Sequence, residues 1–335
     1  MWRFGLAVTM LGCSGPDPEP VDTGTVDTGT APAGALHWSP LDVDGVVPRW
    51  GALGAGALQV GGLDADQRIL TDALSVQADE ALHASAVGAL QTGRYCGCAL
   101  HDPTREQLVL VGGRNGGFRD EPTAERIDLA TGESTPLDAG GAAAHPVGCW
   151  AFFSVAQDRG YVFGGASNAV SGETWRYDPA TGAFTALDLA GPSARYDAGM
   201  VALDDGTALL VGGMGGAGFD SEVWRFDPAA EAWTALPPST DPPDGRRFPF
   251  TATDGQRLYY GYGTDSPMGT TVRRDLWRFD PADGAWEALA PEGERPAARS
   301  FAVAVPGPAG SLGALAFGVD GDLAVFEDAW VLWPQ

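Results

Sequence analysis

Lysine is missing altogether. The 20 basic side chains are all arginine, set against 44 acidic ones, so the formal net charge is −24 and the isoelectric point lies near 4.3. Without a basic patch there are no counterions to release, which argues against nucleic acid and anionic lipid surfaces as direct partners. Histidine is almost as scarce, with four in 335 residues, and none forms the helically spaced pair of a metal-dependent hydrolase. Neither a Gly-x-Ser-x-Gly elbow nor a phosphate-binding loop opening a helix occurs, and no cofactor is expected. No apolar stretch reaches the ~20 residues that cross a bilayer as a helix.

Glycine, in contrast, is abundant and ordered. Short apolar runs close on glycine six times: Val60-Gly61-Gly62, Val111-Gly112-Gly113, Phe163-Gly164-Gly165, Val211-Gly212-Gly213, Tyr260-Gly261-Tyr262-Gly263 and Phe317-Gly318. The marks recur every ~50 residues, the period of a propeller blade. A second mark runs in step with them: Leu74, Ile127, Trp175, Trp224, Trp277 and Trp330. The clearest copies read Trp175-Arg176-Tyr177-Asp178-Pro179, Trp224-Arg225-Phe226-Asp227-Pro228 and Trp277-Arg278-Phe279-Asp280-Pro281. Period-two alternation puts the aromatic residues on one face of a strand and arginine on the other. Asp-Pro ends that strand, because proline has no N–H for the ladder. Phe184, Trp233 and Trp286 then start the next antiparallel strand.

These motifs resemble the kelch repeat, in which a glycine doublet follows the second strand and an aromatic-rich third strand comes next. The resemblance covers residues 35–335 and implies an all-β, six-bladed, galactose-oxidase-like propeller. Trp330 lies too close to the C-terminal Gln335 for a fourth strand to follow it, whereas Leu36-His37-Trp38-Ser39-Pro40-Leu41 stands before the first repeat as an orphan strand. The N-terminal strand is therefore expected to complete the last blade and remove the free sheet edge.

Ahead of the repeats, residues 1–12 pair an arginine with a short apolar run ending at Leu11-Gly12-Cys13, which reads as an export signal resembling the bacterial lipoprotein box. Residues 13–34 have no aromatic or basic side chain and duplicate Val-Asp-Thr-Gly-Thr, the composition of a disordered tether. The expectation is a protein exported and lipid-anchored through Cys13 to the cell envelope, in the outer membrane or periplasm, touching the membrane only through that lipid.

Two groups stand out as candidate sites. Arginines recur at the start of the innermost strands, Arg49, Arg94, Arg195, Arg247 and Arg299, with Val147 in the third repeat's slot. Converging on the channel mouth they would suit an anionic ligand through bidentate bonds; the alternative is that they hydrogen-bond the carbonyls of adjacent blades. Cys96, Cys98 and Cys149 fall on neighbouring blades. A Cys96–Cys149 disulfide is the first expectation and Cys98–Cys149 the second, with a thiolate metal site as a remoter alternative. Acid pairs such as Asp64-Asp66 and Asp320-Asp322 fit solvated loop carboxylates better than a calcium loop.

The leading functional reading is a non-catalytic module binding a protein or glycan. The second is an enzyme acting on an acidic sugar, as the resemblance to exported kelch-like N-acetylneuraminate epimerases implies, with Asp197 or Glu294 as the nearest carboxylates. A galactose-oxidase-like copper enzyme needs histidines and length that this chain does not have.

Overall fold

The structure, a computed structural model, describes residues 36–334 apart from Phe118. The proposed leader, Cys13 and the tether lie outside the described residues. Within them there is no α-helix; the chain forms β-strands, paired antiparallel within each blade, and one short 3-10 turn, Gly140–Ala143.

Four separate four-stranded sheets and one eight-stranded sheet account for the repeats. In the third repeat the strands Trp150–Ser154, Arg159–Phe163, Thr174–Asp178 and Ala183–Leu187 pair in sequence order, from the innermost outward. Each such meander is one blade of a β-propeller. The eight-stranded sheet is two of these units joined through the strand His37–Asp44. That strand pairs antiparallel with Ala329–Trp333, from His37 opposite Trp333 to Leu41 opposite Ala329, so the N-terminal strand does complete the last blade. Its far end, Asp42 to Asp44, runs parallel to Ala81–Ala89 of the first blade. First and last blades are thus sewn together by hydrogen bonds.

The pattern of burial follows from stacking blades face to face. The second strands, such as Leu108 to Val111 and Ala208 to Val211, are buried on both faces and read as continuous apolar runs. Outermost strands such as Ala183–Leu187 alternate and face solvent. Between successive blades lies a separate apolar core. The third and fourth blades meet through Trp150, Phe152, Tyr161 and Phe163 against Leu210, Phe226 and Trp233. The last and first meet through Val303, Val305 and Val331 against Val76 and Leu82. Around the axis the innermost strands enclose a cavity of about 660 Å³, walled by small residues including Ala52, Ala99, Ala151, Ala198 and Ala302. No ionisable side chain other than the disulfide-bonded cysteines lines it.

Candidate functional site at the channel mouth

The glycine marks explain themselves at the junctions between blades. In each pair both residues have positive φ: 62° and 92° at Gly61-Gly62, and 71° and 99° at Gly164-Gly165. A Cβ on Gly61 would overlap Arg94 O of the next blade, and one on Gly165 would overlap His145 O. The second glycine's N–H donates across the junction, as in Gly62 to Arg94 O at 2.9 Å and Gly165 to Arg195 O at 3.0 Å. In the fifth and sixth repeats the pairs are Tyr262-Gly263 and Phe317-Gly318, and Tyr262 and Phe317 adopt the left-handed backbone themselves.

The arginines act at the same place, and the structure answers the question the sequence left open. Arg49, Arg94, Arg195 and Arg299 are at most 1 % exposed. Each bonds the carbonyl of the first residue of its own blade's mark: Gly61, Gly112, Gly212 and Phe317 respectively, at 3.0–3.3 Å. Each also pairs with a carboxylate that opens or borders the third strand. Arg49 takes Asp72 bidentately at 2.8 Å, Arg299 takes Asp328 at 2.5 and 3.0 Å, Arg195 takes Glu222 and Asp220, and Arg94 takes Glu125. Meanwhile the arginine's own carbonyl accepts the N–H of the preceding blade: Gly318 to Arg49, Gly62 to Arg94, Gly165 to Arg195, Gly263 to Arg299. One residue therefore fastens two blades. These four do not border the cavity, and their charge is matched inside the fold.

The fifth member of this set is Arg246, not Arg247. Arg246 is 1 % exposed, bonds Tyr262 O at 3.1 Å and Asp275 bidentately, and receives Gly213 N–H on its carbonyl. The tandem Arg246-Arg247 hides the register, which the bridges reveal: Arg247 pairs with Thr264 as Trp50 does with Leu63 and Tyr95 with Arg114. By the same alignment the third repeat's slot belongs to Pro146 and not to Val147, since Val147 bridges Ala166.

The carboxylates carry a sequence signal of their own, apart from the glycine and tryptophan marks. They stand two residues before the tryptophan mark in Glu222-Val223-Trp224, Asp275-Leu276-Trp277 and Asp328-Ala329-Trp330, and each tryptophan Nε1–H donates back to its acid at 2.7–3.0 Å. Burial works against ionisation of Asp275 and Asp328, yet the arginine and tryptophan bonds hold both below the ordinary carboxylate range. In the second repeat the tryptophan position belongs to Glu125, opposite Leu110, rather than to Ile127. Glu125 supplies the acid for Arg94 from there.

Above the cavity the innermost segments form a collar. Cys96 N–H donates to Gly51 O, Gly148 to Cys96, Asp197 to Gly148 and Phe248 to Asp197, at 2.7–2.9 Å. These residues and Phe301 all have φ between 51° and 67°. That conformation corrects the cysteine pairing. Cys96 is equivalent to Gly148, not Cys149, and its left-handed backbone places it in the collar. Cys98, on the regular strand below, is bonded to Cys149, while Cys96 remains a free thiol. Burial pushes the Cys96 thiol up, and Asp197 pushes it further, so it is held protonated.

Arg247 and Asp197 occupy this collar together. Arg247 Nη2 lies 2.6 Å from Asp197 Oδ2, with the carboxylate wholly buried and the guanidinium 16 % exposed. Asp197 is pushed up to about 6 by burial, against the opposing pull of Arg247. The guanidinium carbon lies 5.0 Å from the Tyr196 ring and 4.6 Å from the Phe248 ring, and Phe248 stacks on Phe301 at 3.5 Å. Arg247 Nη1 also donates to Pro267 O at 3.3 Å. This holds the loop that carries Met268, 81 % exposed, over the mouth side of the fifth blade. The neighbouring loop of the sixth blade presents Leu323, 45 % exposed. The two loops touch, since a Cβ on Gly321 would meet Thr270 O. Asp320 receives the N–H groups of Asp322 and Ala324, and Asp64 those of Asp66 and Arg68, so these acids shape their own loops. Glu294 is exposed on the connection to the last blade.

Fold and collar together define a kelch-type β-propeller, a class whose domains generally bind other proteins. The family described as the KLHDC2/KLHL20/DRC7 Kelch-repeats domain matches residues 98–307, and the chain belongs to it. Among curated proteins none matches.

Proposed function

We propose that this protein is a non-catalytic binding propeller that docks a protein segment on the face bearing Arg247, Met268 and Leu323, and that a lipid on Cys13 displays it on the envelope of a bacterial cell. The observation that carries the binding face is the loop Thr264 to Val272. A large apolar side chain is held almost fully in solvent there, by a carbonyl anchored on the Arg247 guanidinium. Met268 on this loop and Leu323 on the loop it touches give this face two exposed apolar side chains, and methionine suits adaptable protein-binding surfaces. An anionic ligand was expected from a ring of free guanidinium groups. With the arginines matched to carboxylates, apolar contact beside a neutral Asp197–Arg247 pair is the better-supported chemistry.

The test compares wild type with a Met268→Asp/Leu323→Asp variant as bait in envelope extract, followed by titration of the captured protein in purified form. A partner bound by wild type and at least tenfold more weakly by the variant supports the face. Equal binding by both moves the site elsewhere. Stabilisation of the purified protein by carboxylated sugars alone favours the enzyme reading instead. For the anchor, Cys13→Ser is expected to move the protein from the detergent phase to the aqueous phase; no change in partition overturns it.

A further inference from the structure

We propose that the Cys98–Cys149 disulfide takes the place of the arginine fastener at the junction of the second and third blades, making that junction the point at which the ring yields to a dithiol reductant. Five junctions carry a buried guanidinium: Arg49 between the last and first blades, then Arg94, Arg195, Arg246 and Arg299. At the sixth the slot holds Pro146. Its carbonyl still accepts Gly113 N–H at 2.6 Å, but it has no side-chain donor to reach Gly164 O. The acid that such a donor would meet is retained: Glu173 opens the third strand of this blade, is exposed, and accepts from Trp175 Nε1 at 3.3 Å.

The core of this junction sets Leu100, Val109, Val111, Val162 and Tyr177 beside the small residues Ala139, Ala142 and Ala143, where the next junction stacks Trp150, Phe152, Tyr161, Phe163, Phe226 and Trp233. Across this one seam the innermost strands Cys98–Asp102 and Trp150–Ser154 are linked covalently, by cysteines 51 residues apart. A cross-link restricts the unfolded chain and here also clamps two edges that lack their guanidinium. Both cysteines border the axial cavity and Cys149 is only half-buried, so a small dithiol can reach the bond along the channel. Exchange would transfer two electrons and two protons to the bond, giving the Cys98 and Cys149 thiols and the oxidised, cyclic disulfide of the reductant. Cys96 lies outside this bond, on the left-handed collar position.

The full chain is followed by hydrogen–deuterium exchange and thermal melting with and without dithiothreitol. Reduction is expected to raise exchange in Cys98–Asp102, Gly140–Ala143 and Trp150–Ser154 before other blades respond, and to lower Tm by roughly 6 °C. Pro146→Arg in a Cys98→Ala/Cys149→Ala background is expected to recover most of that loss by meeting Glu173 and Gly164 O. If the cysteine-free chain does not fold, Pro146→Arg in the intact protein still reports, by blunting the effect of reductant. Unchanged exchange and melting on reduction overturn the proposal, as does loosening spread evenly round the ring. Failure of Pro146→Arg to recover any stability overturns the equivalence of bond and arginine.

Discussion

Replacing Arg299 by alanine tests whether the buried arginines are fasteners. The guanidinium is wholly buried and donates to Ala297 O at 3.0 Å, Phe317 O at 3.1 Å and both oxygens of Asp328, and it lies 4.0 Å from the Phe326 ring. Removing one member of a buried pair costs about 3–5 kcal/mol, much of it from groups left unpaired. Asp328 is 42 % exposed and can hydrate once alone, which puts the expected loss near the lower end, ~3 kcal/mol. With unfolding entropy of about 2.1 cal/mol/K per residue over ~300 residues, that is a fall of ~5 °C in Tm. Arg299→Lys keeps the charge but cannot serve a carboxylate and a carbonyl through one planar fork, so it is expected to lose most of the same stability. The difference between wild type and Arg299→Ala should also shrink in acid. Asp328 has its folded pKa held below the unfolded value, so its contribution is present above the unfolded pKa and disappears as pH falls through the folded one. Differential scanning calorimetry from pH 7 downward reads all three. A variant that melts with wild type at pH 7, or full rescue by lysine, refutes the fastener role.

Asp197→Asn is expected to stabilise the protein at neutral pH. The folded pKa is raised to about 6, so the folded state holds the proton more tightly and stability is lost as pH rises from the unfolded value through 6. A shift of ~2 units corresponds to about 3 kcal/mol at most, with the variant's advantage vanishing near pH 4, read as the difference in Tm between the two proteins across pH. Gly165→Ala should cost more than ~2 kcal/mol in denaturant titration, because its φ of 99° is unsuited to a Cβ and the methyl would overlap His145 O. Cys96 should react with iodoacetamide more slowly in the folded protein than in denaturant, since burial and Asp197 raise the pKa of its half-buried thiol.

The fold was legible because each blade must satisfy the same contacts. The glycine pairs recur where main chains of adjacent blades meet too closely for a Cβ, and the Trp-Arg-aromatic-Asp-Pro strand recurs where an outer hairpin must form and stop. The orphan segment around Trp38 could be assigned because a missing fourth strand leaves an edge that something has to fill. The site was less legible because it depends on registers offset by one residue. Arg246 and Arg247 are chemically identical in sequence; one is sealed in a junction and the other stands at the mouth. Cys96 and Cys98 differ only in that the first falls on the left-handed collar position, a backbone state no side-chain pattern announces. Alternation alone puts the two thiols on one face, which is why the pairing with Cys149 could not be decided from spacing.

Where the repeats obey their rule, the residues serve the ring; where one repeat departs from it, the residue is freed or forced into a different task. Glycine fills the collar in the first and third repeats, at no steric cost. Asp197 in the fourth repeat accepts both the left-handed backbone and the burial of a carboxylate, two expenses that packing alone does not require. Its partner Arg247 stands where the other repeats place Trp50, Tyr95, Val147, Tyr196 and Ser300, and it reaches out to the Met268 loop. A pair that is costly to bury and tied to an exposed apolar loop is better explained by what the loop meets than by the stability of the ring. Removing Asp197 and Arg247 together should therefore leave melting close to wild type while releasing the loop, whereas removing Arg247 alone strands a buried carboxylate. The double variant separates binding from folding in a way no single substitution at this mouth can.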